Sequence, residues 1–376
     1  MRWATPRPPR FAAGLMGAGA VLALVWSAVA SPSYATVTRG RWGVGAVSLS
    51  LSSLATQGLM TVFFLGVGLE LAREFLGGHR RHFAAPVLAA LGGMVGAGSG
   101  AWLVGSLGHY SALTRGWSIP MATDVAFALA GLALVGKGLP RGLRTFILTL
   151  ALADDLFSVV VVSTTTSAHV HALPLVSAGV VIAIALATRR RTPPVVFALT
   201  VTGLTWILLA AAGVEPALAG AVGGLLTPPV RQSAHLEALS ARFTSDVVLP
   251  VFAFVASGLP WTEVRQAGGV IGLIVVVRIG GKVLGITLVS LLAPRLGLPH
   301  GLRPSEILGG SLLCAMGFTI PLLIASRLFG AASATYGAFA AGLDIATVLG
   351  GILGVVVLRR VAALNPPPEA GAAPAS

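Results

Sequence analysis

A single cysteine, Cys314, in 376 residues excludes an intramolecular disulfide framework and a cysteine-rich metal centre. Charge is scarce as well. Aspartate, glutamate, lysine and arginine make up 10% of the chain, against about a quarter in soluble domains, which excludes an ordinary soluble protein. Lysine is rarer still: of 25 basic residues only Lys137 and Lys282 are lysines. Apolar surface takes the place of charge, with 55% hydrophobic residues and a mean hydropathy of +0.90. The composition is that of a polytopic membrane protein whose partner is the lipid bilayer. A formal charge of +13 would point to nucleic acid in a soluble chain, but basic residues in a membrane protein mark its cytoplasmic loops, so no nucleic-acid partner is expected.

Twelve apolar runs lie at about 11–30, 58–77, 84–105, 119–136, 142–166, 172–188, 195–212, 215–230, 245–259, 267–292, 306–327 and 334–357. With the amino terminus in the cytoplasm, the inside segments collect 18 basic residues and the outside segments 5 (Arg39, Arg41, Arg115, Arg265 and Arg327), leaving Arg278 and Lys282 within a span. That bias places both termini in the cytoplasm. Ala28-Val29-Ala30 has the form of a signal-peptidase site, yet the apolar stretch before it suffices to span a bilayer, which favours a retained first helix. Residues 31–55 read as an external loop or a small hairpin, with strand-like alternation over Val47-Ser48-Leu49-Ser50-Leu51-Ser52. The last residues, 361–376, with Pro366-Pro367-Pro368, read as a disordered cytoplasmic tail after a membrane domain over 1–360.

Four features carry chemistry. Asp154 and Asp155 sit side by side in the middle of the fifth run, where ionisable groups are costly and functional by default. The fourth run begins Ser118-Ile119-Pro120-Met121-Ala122-Thr123-Asp124, so proline interrupts the helix and Asp124 is placed to offset the positive end of a half-helix. Lys282 falls at mid-depth on a glycine-rich face of the tenth run; an ammonium can give up its proton there, whereas the guanidinium of Arg278, one turn earlier, cannot. Arg278 is read as structural or as the partner of a carboxylate such as Asp344. The eleventh run, through Cys314-Ala315-Met316-Gly317-Phe318-Thr319-Ile320-Pro321, reads as a second interrupted helix. Interrupted spans in corresponding places of two halves point to a secondary-transporter site.

The chain resembles the NhaA-type sodium/proton antiporter family. The likeness is carried by Val67-Gly68-Leu69-Glu70-Leu71-Ala72-Arg73-Glu74, Ala122-Thr123-Asp124-Val125-Ala126-Phe127, Ala151-Leu152-Ala153-Asp154-Asp155-Leu156, Leu249-Pro250-Val251-Phe252-Ala253-Phe254, Gly281-Lys282-Val283-Leu284-Gly285-Ile286 and Cys314-Ala315-Met316-Gly317-Phe318-Thr319. They occur in family order over nearly the whole chain. The resemblance implies an all-α fold of about twelve transmembrane helices, with inverted-topology repeats at about 84–166 and 267–357 and two discontinuous crossing helices. It also implies a bacterial cytoplasmic membrane location and electrogenic, alkaline-activated export of Na+ or Li+ in exchange for more than one proton. By matching motif, Asp155 is the principal cation ligand, Asp154 a second site carboxylate paired with Lys282, and Thr123 and Asp124 belong to the crossing. Glu70, Arg73, Glu74 and Glu237 fall on positions of pH response. A transporter of this kind is not an enzyme, needs no cofactor beyond the transported Na+ or Li+ and H+, and admits a homodimer. Two departures touch the cytoplasmic funnel and pH setpoint: Thr56-Gln57-Gly58 stands where relatives commonly carry an acid, and Asp344 puts a carboxylate in the twelfth run.

As chemistry, a hard cation such as Na+ would exchange its hydration shell for carboxylate, hydroxyl and backbone carbonyl oxygens, and protons would compete for the same oxygens. An intramembrane aspartyl protease needs two facing aspartates, but neighbours on one helix point about 100° apart. A sodium-coupled symporter of a small organic solute is the alternative, and it would need a polar pocket that no further cluster provides.

Overall fold

The computed structural model describes residues 9–44, 47–76, 80–136, 138–166, 171–258, 268–297, 301–331 and 333–364. Among these the chain is helical apart from one hairpin. Helices α1 (Pro9–Val29) and α2 (Ser31–Arg39) precede strands β1 (Arg41–Val44) and β2 (Val47–Ser50); α3 (Met60–Leu76) and α4 (Arg80–Leu107) follow. Then come α5 (Val125–Val135), α6 (Arg141–Thr166), α7 (Ala172–Thr188), α8 (Pro194–Ala212), α9 (Leu218–Leu226), α10 (Arg231–Phe243) and α11 (Leu249–Ala256). The last are α12 (Gly268–Leu292), α13 (Pro304–Cys314), α14 (Thr319–Phe329) and α15 (Ala334–Leu364). Among the described residues six continuous helical stretches are long and apolar enough to cross a membrane, or seven with α13 and α14 taken as one span bent by 44°.

Each apolar run falls on a helix, but with three corrections. Residues 31–55 hold the small hairpin, β1 paired antiparallel with β2, but also a helix the alternation did not announce: Pro32 opens α2, whose Tyr34 hydroxyl donates to the Phe254 carbonyl at 2.6 Å. A Ser50–Ser53 capping box then turns the chain back into helix at Leu51. The run 215–230 yields only the nine-residue α9, too short to span alone. At the carboxyl end α15 runs on to Leu364, past the expected boundary at 360, while 365–376 of the tail lie outside the described residues.

Close helix packing positions the site. Helices α4 and α12 meet along glycines: a Cβ on Gly281 would lie 2.6 Å from the Gly96 carbonyl, and one on Gly285 would strike the Gly92 carbonyl. Without a hydrophobic force between helices in lipid, such small residues let backbones approach closely. The result fixes the helix that carries Arg278 and Lys282 against the broken segments on either side.

Candidate functional site

The two interruptions form as the prolines and glycines direct. After α4 a short helical segment, Ser111–Arg115, leads into a 3-10 turn, Ile119–Met121, with Pro120 in it, and α5 starts only at Val125. In the eleventh run α13 stops at Cys314 and α14 starts at Thr319. The two breaks lie against each other, and Phe127 and Phe318 meet edge-on across them at 6.0 Å.

Asp124 joins the breaks. One carboxylate oxygen caps α5, accepting from the backbone N–H groups of Ala126 (3.1 Å) and Phe127 (3.3 Å); the other accepts from the Thr319 hydroxyl (3.1 Å) and N–H (3.4 Å) at the start of α14. One acid thereby serves two positive helix ends. It is an N-cap, as a surface residue at this position would be, but it is 3% exposed.

Asp154 and Asp155 project from the middle of α6 in different directions. Asp154 Oδ2 takes the Lys282 ammonium at 2.6 Å and the Thr123 N–H at 2.5 Å, and the same ammonium donates to the Met121 carbonyl. Both partners of the ion pair are fully buried, so Lys282 does not snorkel to an interface. Asp155 is 1% exposed, and Oδ1 of each aspartate is buried without a hydrogen-bond partner. An unpartnered buried carboxylate oxygen is costly in the folded chain and is an obvious acceptor for a cation or a proton.

The backbone carbonyls freed by the breaks are differently placed. Met121 O accepts from Lys282, Ala122 O from Arg278 Nη2 (2.6 Å), Cys314 O from the Thr123 hydroxyl (2.8 Å) and Ala315 O from Arg278 Nε (2.8 Å). Met316 O accepts from the Asp124 N–H (2.9 Å) and Gly317 O from the Thr347 hydroxyl (3.1 Å). Each of these six carbonyls therefore accepts a protein hydrogen bond through one of its two lone pairs. Arg278 is the structural residue of the two options and not the partner of Asp344, whose oxygens are both buried without a hydrogen bond. Its fork points at the breaks instead.

A cavity of about 490 Å³ leads toward this cluster. Glu70, Arg73, Arg144 and Glu237 line it, together with Val125 and Ala126 just after Asp124 and Leu152 one turn before Asp155. Arg73 Nη1 lies 3.0 Å from Glu237 Oε1. Three of the four residues expected for pH response therefore share one cavity. Glu74 belongs to α3, but its side chain is outside the described residues.

Sequence reasoning did not single out Thr319 or Thr347 as members of the site, nor the Glu215–Arg327 ion pair at 3.1 Å. Thr319 was within reach, being the first hydroxyl after the glycine of the second break. Thr347 and Glu215 carry no local signal, because their partners are 30 and 112 residues away. Among the described residues no group of three or more His, Cys, Asp or Glu has metal-binding geometry.

The family described as Na+/H+ antiporter 1 matches residues 7–358. Similar proteins include the Na(+)/H(+) antiporter NhaA of Frankia casuarinae, 36% identical, with 92% of this chain and 84% of that one covered. The Na(+)/H(+) antiporter NhaA 1 of Kineococcus radiotolerans is 35% identical over 90% of this chain and 85% of its own. The Na(+)/H(+) antiporter NhaA of Tolumonas auensis is 34% identical over 81% of this chain and 80% of its own.

Proposed function

Because the chain belongs to the Na+/H+ antiporter 1 family, we propose that it exports Na+ or Li+ in exchange for protons across the bacterial cytoplasmic membrane. Asp155 is the site at which cation and proton compete, and Asp154, held by Lys282, is its neighbour. The observation that carries this reading is the pair of unpartnered, buried Oδ1 atoms on Asp154 and Asp155 beside a fully buried ion pair. A bare negative charge at that depth is disfavoured, and either a proton or a monovalent cation relieves it. If only the loaded site reorients, competition for the same oxygens couples the two fluxes.

Further parts of the proposal rest on the resemblance. The chain spans the membrane twelve times with inverted repeats at about 84–166 and 267–357, and both termini face the cytoplasm. The cycle moves more than one proton per cation and is electrogenic, the Asp154–Lys282 pair supplying the second proton as a coupled unit. Glu70, Arg73, Glu74 and Glu237 set activation at alkaline cytoplasmic pH, and Thr123 and Asp124 hold the crossing.

Inverted vesicles containing the full chain test the function. After acidification of the lumen, added Na+ or Li+ should restore the luminal pH, and a cation-independent signal equal to that of vesicles without the protein would reject antiport. An organic solute requirement for cation movement would favour symport instead.

A further inference from the structure

The Glu215–Arg327 ion pair stands apart from the site. Glu215 lies in the turn before α9, with its two oxygens 3.3 and 3.1 Å from Arg327 Nη2, and Arg327 belongs to the last turn of α14. The carboxylate is 2% exposed and the arginine 32%, and together with Gln57 they border a cavity of about 310 Å³. Gln57 shares one continuous helical stretch, Leu51–Arg73, with Glu70 and Arg73 of the larger cavity, and that stretch is long enough to cross a membrane. Gln57 and Glu70 lie about 20 Å apart along it, so the two cavities open toward opposite faces. The larger one reaches Val125, Ala126 and Leu152 beside the site; among the described residues no member of the site lines the smaller one. The ion pair also joins two groups of helices. Helix α9 packs on α3, where a Cβ on Gly220 or Gly224 would strike the Thr61 or Leu65 carbonyl, whereas α14 packs on α6, α15 and the 3-10 turn of the first break. Thr319, about 12 Å from Arg327 along α14, is held by Asp124. One helix thus runs from the crossing to the ion pair.

We propose that Arg327, held by Glu215, is a positioning residue that closes the site to the external face: the pair latches α14 to α9 in the state open to the larger, cytoplasmic cavity, and it parts before Na+ or Li+ exchanges on the other side. The proposal rests on the cation-exchange reading above and adds the device that decides which face the site serves. A latch acts on the populations of the two states and not on the oxygens that bind the ion. Breaking it raises the share of chains open outward, so the apparent KM for Na+ falls at the external face and does not fall at the cytoplasmic one. A residue needed only for folding would lower the rate from both faces and leave the ratio of the two KM values unchanged.

The test measures initial uptake of radiolabelled Na+, driven by an acid lumen, in right-side-out and in inverted vesicles containing the full chain, which present the external and the cytoplasmic face in turn. Arg327→Gln and Glu215→Gln should each lower the ratio of external to cytoplasmic KM by about two- to fivefold, the range of a partly exposed ion pair. Arg327→Lys, which keeps the charge, should stay closer to the parent than Arg327→Gln. The Glu215→Gln/Arg327→Gln double variant should shift the ratio by less than the product of the single effects, because both break the same contact. Free of a stranded charge, it carries the same test if a single variant does not fold. Folded variants whose ratio moves by less than about twofold, or whose two KM values move in step, would overturn the proposal. So would failure of both single variants and the double one to yield monodisperse protein, which would make the pair a requirement of the fold. A parent chain with no more Na+ uptake from either face than vesicles without the protein would instead reject antiport itself.

Discussion

Lys282 Nζ lies 2.6 Å from Asp154 Oδ2, with both side chains fully excluded from solvent. Burying two charges is worthwhile only when each is matched, so removing one should cost more than the pair contributes. Lys282→Ala is expected to destabilise the chain by about 3–5 kcal/mol, seen as a lower thermal midpoint in detergent. Adding Asp154→Asn should recover most of that loss, because the stranded charge is gone. Equal midpoints for the single and double variants would contradict a charge-paired Asp154.

Asp124 serves α5 and α14 at once. Asp124→Ala should cost about 1–2 kcal/mol for the lost cap alone, and Thr319→Val should lose only the hydroxyl bond across the breaks and keep the backbone N–H one. Asp124→Asn, which still accepts hydrogen bonds, should fall between Asp124→Ala and the parent. Thermal midpoints of the three variants check the order.

The Tyr34 hydroxyl anchors α2 to the Phe254 and Val255 carbonyls at 2.6 and 3.0 Å. Tyr34→Phe should cost about 1 kcal/mol in the same assay. Burial pushes this hydroxyl up from its ordinary value of 10.0 to about 12, with the Gly258 backbone and Arg39 acting in the opposite direction. A raised value in the folded chain means that the contribution is fully present below 10.0 and is lost as pH rises toward about 12. The Tyr34→Phe penalty should therefore stay constant across neutral pH and shrink only in strong alkali.

The Arg73–Glu237 pair is of another kind, its side chains being 52% and 15% exposed. An exposed pair contributes about 1 kcal/mol or less and is screened by salt, so Arg73→Ala should hardly move the thermal midpoint. If the cavity residues set the pH response, the same variant should displace the pH profile of exchange. A profile superimposable on that of the parent would remove Arg73 from that role.

How much of this was legible in the sequence differs from residue to residue. Pro120 and the Gly317–Pro321 stretch marked both interruptions because they act locally on backbone donors and sterics. Asp154, Asp155 and Lys282 stood out because an ionisable group in an apolar run needs a reason to be there. The Asp154–Lys282 pairing is a contact across 128 residues and came from family resemblance, not spacing. Arg278 was visible, but its partners are backbone carbonyls, which have no signature in side-chain identity; that is why Asp344 was a plausible partner on charge alone. The helix at Ser31–Arg39 was missed because it is only nine residues long and polar on average, and Tyr34 holds it to a distant segment.

The central claim is that Asp155 is where cation and proton compete. Asp155→Asn in proteoliposomes, assayed for Na+-dependent proton movement alongside its thermal midpoint, tests it most directly. The account predicts a folded protein, with a midpoint at or above that of the parent because an unpaired buried charge has been removed, and no Na+-dependent proton movement. A folded Asp155→Asn chain that still exchanges Na+ for protons at the parent rate would contradict it.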